Sequence, residues 1–197
     1  MFHFQISSPK LLLGQKVLLV GGDPWHLGRH VEIIDMKNMS YSCELPAKYP
    51  IDMSFGAGAM LDGNIPIICG GYNLTSTIKE CFQLKDKKWY QIESLPSPRI
   101  FMSAGNILID GKLWISGGSE LPSDGESKFD KTFLVSSNSV VQSFDLPIPL
   151  TGHCSVYLDE ERLMIIGGWS EGDQVGVWST LSGTDSIFFC LVFEINS

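Results

Sequence analysis

Four histidines and five cysteines are the residues of this 197-residue chain with the widest chemical repertoire, and their spacing limits what they can do. His26 and His30 stand four apart, the interval that puts two metal ligands on one face of a helix. Here they follow a strand-like run with Gly28 between them, so no helix presents them and solvated loop histidines are expected. His3 stands alone near the start. His153 opens an apolar strand, and Cys154 beside it points to the opposite face, so the two make no nucleophile–base pair. No Ser-His-Asp order, phosphate loop or carboxylate pair stands out. Gly56-Ala-Gly58 is followed by no helix and is not a dinucleotide fingerprint. The cysteines are odd in number and lack metal-ligand spacing, which predicts reduced thiols of a cytosolic protein, with Cys69 and Cys154 acting as small hydrophobes inside strands. No metal, cofactor or catalytic residue is therefore expected.

The elements that must carry any function are set by a repeat. Glycine pairs stand at Gly21-Gly22, Gly70-Gly71, Gly117-Gly118 and Gly167-Gly168, at steps of 49, 47 and 50 residues. Each closes a short apolar run: 16–20, 65–69, 112–116 and 162–166. A fixed period near fifty implies a repeat architecture. About ten residues before a pair lies a second apolar run ending in a turn, at 58–63, 105–111 and 154–159. Asp62-Gly63 and Asp110-Gly111 are dipeptides that accept the positive φ of tight hairpin turns. After the glycines come loops at 23–30, 72–78, 119–130 and 169–175. Third strands are predicted at 31–35, 81–84, 132–135 and 175–178, and fourth strands, clearest at 40–43 and 88–92. Leu45-Pro46, Leu95-Pro96 and Leu146-Pro147 then break the ladder, because proline has no N–H to donate. Four strands per repeat and no helical period predict an all-β chain of four-stranded antiparallel units.

Leu95-Pro-Ser-Pro-Arg99 followed by Asp110-Gly-Lys-Leu-Trp-Ile-Ser-Gly-Gly118 resembles a Kelch repeat, as does Asp62-Gly63 with Gly70-Gly71, Trp89 and Leu95-Pro96. The resemblance runs over roughly 8–180. It implies a Kelch-type β-propeller domain at 8–195, with blades at about 8–46, 54–96, 101–147 and 152–195, and a strand or tail at 1–7. The chain departs from the pattern where the fourth strand should carry tryptophan: only Trp89 does, Tyr41 stands in for it once and Val140-Val141 once. The fourth repeat has Trp178 in its third strand and no Leu-Pro after it. Kelch propellers resemble rings of six or seven blades, and 197 residues are too few. The chain is then a fragment of a larger ring, closes by pairing with another copy, or holds a degenerate blade. The runs 2–6 and 187–195 read as further strands whose pairing could latch the ring.

The resemblance implies a non-catalytic protein-protein interaction module. Relatives serve as substrate receptors of cullin-based ubiquitin ligases, but carry BTB and BACK domains ahead of the propeller. Nothing of that kind precedes residue 8, so substrate capture is what remains. Two other readings are an extracellular adhesion or matrix protein, favoured by the sequons at Asn38 and Asn73, and a copper-oxidase-like enzyme, for which the tyrosine and histidine ligands are not evident. Function then sits in loops on one rim: those after the glycine pairs and those between one blade and the next. Candidate partner contacts are Trp25, Arg29, Tyr72, Arg99, Glu120, Asp124, Glu126, Trp169 and Glu171. Carboxylates crowd 119–130, so a basic peptide segment is the expected partner. The eight paired glycines are expected to be structural. A net charge of −8 without basic clusters weighs against nucleic acid and anionic membranes. No apolar run reaches the roughly 20 residues of a membrane helix. No basic segment leads into a long apolar core at the start, so a cytoplasmic location is expected, with secretion as the alternative.

Overall fold

The computed structural model describes residues 10–21, 28–37, 40–41, 47–103, 107–121, 127–157, 162–170 and 190–194. All regular structure among them is antiparallel β, with no helix. The first sheet contains β1 (Lys10–Leu13), β2 (Lys16–Val20), β3 (Val31–Asp35) and β4 (Ser40–Tyr41). The second contains β5 (Ala57–Leu61), β6 (Ile65–Tyr72), β7 (Thr77–Lys85) and β8 (Lys88–Ile92). In each, strands pair in chain order, as short turns dictate. The third sheet is built from β9 (Leu108–Ile109), β10 (Lys112–Ser116), β13 (Thr132–Val135) and β14 (Val140–Gln142). Between β10 and β13, a separate ribbon pairs β11 (Ser119–Glu120) with β12 (Ser127–Lys128). The fourth sheet contains β15 (Cys154–Tyr157), β16 (Arg162–Ile166) and β17 (Cys190–Glu194).

Three expectations change. The third strand of the fourth sheet is β17, not 175–178, which lie outside the described residues. The run Cys190-Leu-Val-Phe-Glu194 is more continuously apolar than Val175-Gly-Val-Trp178, and it pairs residue for residue with all of β16. The tail is thus a ladder strand of the fourth sheet; residues 2–6, its expected partner, lie outside the described residues. The expected loop at 72–78 shrinks to four residues, because β6 runs through its glycine pair to Tyr72 with a bulge between Cys69 and Gly71. The 119–130 loop is in part the β11–β12 ribbon.

The sheets pack face to face in chain order. Leu11, Leu18, Val20 and Val31 of the first sheet meet Met60, Ile68 and Phe82 of the second. The other face of the second sheet, with Ala57, Ala59, Ile67 and Cys69, meets Leu113, Ile115, Phe133 and Val135 of the third. Trp114 and Ile109, on the third sheet's far face, meet Leu163 and Ile165 of the fourth. Two-sided burial of the inner strands explains why they read as nearly continuous apolar runs rather than alternating ones.

The glycine pairs sit where this stacking is tightest. A Cβ on the first glycine of a pair would strike the next sheet's lead-in: at Gly70 it would lie 2.8 Å from the Arg99 carbonyl oxygen, at Gly117 2.1 Å from that of Leu150. A Cβ on the second would strike its own sheet's lead-in, as at Gly71, 2.5 Å from the Ser54 carbonyl oxygen. Both positions also hold positive φ, 64° at Gly70 and 113° at Gly71, which side chains resist. The amides of Gly71 and Gly118 then donate across to Arg99 and Leu150 carbonyls, each at 2.8 Å, tying adjacent sheets together.

Cys69 and Cys81 form a disulfide, which corrects the expectation of reduced thiols throughout. Cysteine counting does not see pairing in register: β6 and β7 place these two directly opposite, with Cα atoms 4.1 Å apart and both side chains fully buried. Facing side chains approach most closely at such positions of an antiparallel ladder. Cys154 is free and exposed.

Candidate functional site

The segment leading into each of the second, third and fourth sheets is bridged to the segment just after its glycine pair. Ser54 pairs with Tyr72, Ile100 with Ser119 and Thr151 with Trp169. The two loop sets expected to share one edge therefore do. The residue after each bridge turns into the first strand through the left-handed region: Phe55 at φ 57°, Phe101 at 51° and Gly152 at 66°. For Phe55 and Phe101 this is a strained conformation, of the kind that collects at binding sites. Their rings lie 4.5 Å apart, and Phe101 stays more than a third exposed.

Beside them is a pocket of about 290 Å³ lined by Phe101, Lys128, Thr151, Gly152 and Trp169. Each wall has a local cause. The Gly152 amide donates 2.8 Å to the Phe101 carbonyl, which holds the third and fourth lead-ins together. The bridge to Thr151 fixes the Trp169 backbone, while its side chain is 48% exposed and opens the pocket to solvent. Lys128 on β12 reaches across to donate 2.8 Å from Nζ to the Ser170 carbonyl. The pocket joins two rings and an ammonium group, an arrangement that can seat an apolar or aromatic side chain beside a polar group.

Of the expected contacts, Trp169 stands on this pocket and Glu120 near it, half-buried on β11 and bridged to Ser127. Tyr72 ends β6, its hydroxyl donating 2.8 Å to the Leu74 carbonyl. Arg29 is exposed, 4.0 Å from Asp52, beside the first sheet. Trp25, Asp124, Glu126 and Glu171 lie outside the described residues, as does Gly22. Of the remaining carboxylates at 119–130, Asp130 lies 3.7 Å from Lys131 Nζ, which also pairs with Asp145. Phe55 and Phe101 escape sequence reading because each precedes a first strand and resembles core; their shared place in the repeat, with Gly152 as third member, is the signal that marks a turn.

Arg99 is corrected. It is 1% exposed and turned into the junction between sheets rather than outward to a rim. Its Nη1 donates 2.9 Å to the Gly117 carbonyl and 3.0 Å to that of Lys131, and Nη2 donates 3.1 Å to Ser97 Oγ. The guanidinium also lies over the rings of Phe129 and Phe133, at 4.4 and 4.6 Å. Burial pulls its pKa down to about 10, against the field of Asp130, which raises it. A planar fork of donors suits this inter-sheet clamp, because one residue satisfies two carbonyls at a crowded junction.

Proximity produces two buried pairs that sequence distance hides. His153 Nε2 lies 2.7 Å from Ser116 Oγ, and Ser103 Oγ donates 2.7 Å to Ser155 Oγ. His153 is 2% exposed, Ser116 fully buried, and the pocket lining does not include them, so this resembles a nucleophile–base pair in distance but not in access. Burial depresses the imidazole to a pKa of about 4 and keeps it neutral. Among the described residues no group of three or more His, Cys, Asp or Glu side chains is placed to hold a metal ion.

No protein-family profile matches the chain, and no curated protein does. Solved structures do. One, the structure of YjhT, superposes with a TM-score of 0.69 at 14% sequence identity, over 94% of this chain and 68% of that one. At that identity the likeness is one of fold alone: both chains stack antiparallel sheets in a shared arrangement.

Proposed function

We propose that this chain is a Kelch-type β-propeller whose four sheets are blades, and that it works as a non-catalytic protein-protein interaction module. The observation that carries the reading is the cluster at one edge of the sheets: Phe55 and Phe101 in strained turns and Trp169 half-exposed, with Lys128 beside the pocket. Exposed aromatics on a rigid frame are the usual anchors of protein interfaces. The partner inserts an apolar or aromatic side chain between Phe101 and Trp169, and basic residues of the same segment are drawn to nearby carboxylates such as Glu120. The likeness to YjhT supports the sheet arrangement and says nothing of the partner. Substrate capture for a ubiquitin ligase and the copper-oxidase chemistry are weaker readings, since neither has a residue in this site to support it.

The test is affinity capture with the intact chain, with Phe101→Ala/Trp169→Ala, and with Tyr90→Ala/Val141→Ala, whose residues are exposed on outer strands. Loss of the same captured protein from the pocket variant alone supports the proposal. Equal capture by all three refutes it.

A second reading, an extracellular adhesion or matrix protein, is favoured by the Cys69–Cys81 disulfide, because such bonds persist in oxidising compartments. Asn73, in an exposed turn whose Thr75 and Ser76 amides donate to its Oδ1, belongs to one of the sequons. Alkylation before and after reduction, read by peptide mass on the protein from its native source, tests this. Cys69 and Cys81 alkylated without reductant would remove the observation.

A further inference from the structure

We propose that Asn73 is an N-glycosylation site, carrying an oligosaccharide on the turn between β6 and β7. The proposal rests on the extracellular reading, because asparagine receives this sugar in the secretory compartment.

Two independent observations meet in one hairpin. The first is the turn. Asn73-Leu-Thr75 has the acceptor pattern, with a residue other than proline in the middle. It lies between elements rather than inside one: β6 ends at Tyr72 and β7 starts at Thr77. Leu74 is 57% exposed, and Thr75 and Ser76 beside it are exposed too. The Asn73 side chain is held by its oxygen. Oδ1 accepts from the Thr75 amide at 3.2 Å, the Ser76 amide at 2.9 Å and the Thr75 hydroxyl at 2.9 Å. Side-chain bonds of this kind fix the local turn. The nitrogen, Nδ2, has no hydrogen-bond partner among the described residues. The sugar is joined to that nitrogen, so the acceptor atom is free and every bond that shapes the turn survives the modification.

The second observation is the Cys69–Cys81 disulfide, which ties together the two strands that the turn connects. Such bonds form and persist in oxidising compartments, the secretory lumen among them. The chemistry needs one co-substrate, a lipid pyrophosphate-linked oligosaccharide. Asn73 Nδ2 bonds to the anomeric carbon of its first sugar, and the bond from that carbon to the pyrophosphate oxygen breaks. The lipid pyrophosphate leaves with that electron pair, and Nδ2 gives up one of its two protons to a base of the transferase. Nothing is oxidised or reduced. The turn follows the Ser54–Tyr72 bridge directly, so the sugar stands on the edge that carries the aromatic cluster and shields the exposed Leu74.

The experiment is peptide mass on the chain from its native source, before and after a peptide-N-glycosidase in heavy-oxygen water. Masses spaced by single sugars on the Asn73 peptide, collapsing to one aspartate that carries heavy oxygen at position 73, support the proposal. Bare Asn73 with Cys69 and Cys81 still bonded overturns it and leaves the extracellular reading standing. Bare Asn73 with both thiols free overturns both. A second arm exports the chain from animal cells behind an added leader, as wild type, Thr75→Ser and Thr75→Val. Thr75→Ser keeps the acceptor pattern and Thr75→Val removes it, each at an exposed position. Sugar at Asn73 in the wild type and Thr75→Ser, lost in Thr75→Val, supports the site. An exported wild type with bare Asn73 overturns it.

Discussion

Replacing Gly117 by alanine and, separately, Gly111 by alanine separates two reasons for glycine. Both hold positive φ, 56° and 69°. A Cβ at Gly111 meets nothing within 4 Å, whereas one at Gly117 would lie 2.1 Å from the Leu150 carbonyl oxygen. Gly111→Ala therefore carries only the left-handed strain, about 1–2 kcal/mol. Gly117→Ala carries that strain plus overpacking against backbone, about 1–3 kcal/mol more. Moving the Leu150 carbonyl also weakens its 2.8 Å bond from the Gly118 amide, a further loss of about 1 kcal/mol. The expected totals are about 1–2 and about 3–6 kcal/mol. Urea unfolding reads the difference: with a slope of about 2 kcal/mol per molar, a 3 kcal/mol gap moves the midpoint by about 1.5 M. Equal midpoints for the two variants would refute the close approach as the reason for the glycine pairs.

The buried His153 makes the fold acid-sensitive. Its pKa is about 4 folded against 6.5 unfolded, so the unfolded chain takes up the proton first as pH falls. Stability then declines from about pH 6.5 toward pH 4 by up to about 3 kcal/mol, and His153→Gln should flatten that slope in urea titrations at several pH values; an unchanged slope would assign the decline to other groups. Arg99→Met keeps the stem but leaves the Gly117 and Lys131 carbonyls without their donor. A loss of about 2–4 kcal/mol in the urea midpoint is expected, and a neutral outcome would show the clamp to be dispensable. Binding of a basic partner segment should slow as salt rises, measured as the association rate by surface capture; a rate indifferent to salt would count against the carboxylates of the 119–130 segment.

Much of the strand plan is legible in the sequence because it is written in local rules. Asp62-Gly63 and Asp110-Gly111 announce hairpins because both residues of each pair adopt positive φ. The glycine pairs recur because each sheet meets its neighbours at the same crowded place, so a period near fifty shows up without any knowledge of what surrounds it. Antiparallel sheets linked by short turns follow from these signals alone. The site is different, because its members come together only when sheets stack. Arg99 reads as a surface contact by motif, yet the third sheet closes over it. Ser116 and His153 are 37 residues apart and touch. Cys69 and Cys81 become partners only through the β6–β7 register, and only the folded ladder shows that the run 190–194 pairs along the whole of β16. Phe101, Lys128 and Trp169 belong to three separate loop and ribbon segments, and their meeting depends on the bridge between Thr151 and Trp169. Turn chemistry and period act between neighbours along the chain, so they are visible in its order; burial, charge pairing and pocket shape depend on which surfaces meet, and that is decided only when the sheets pack.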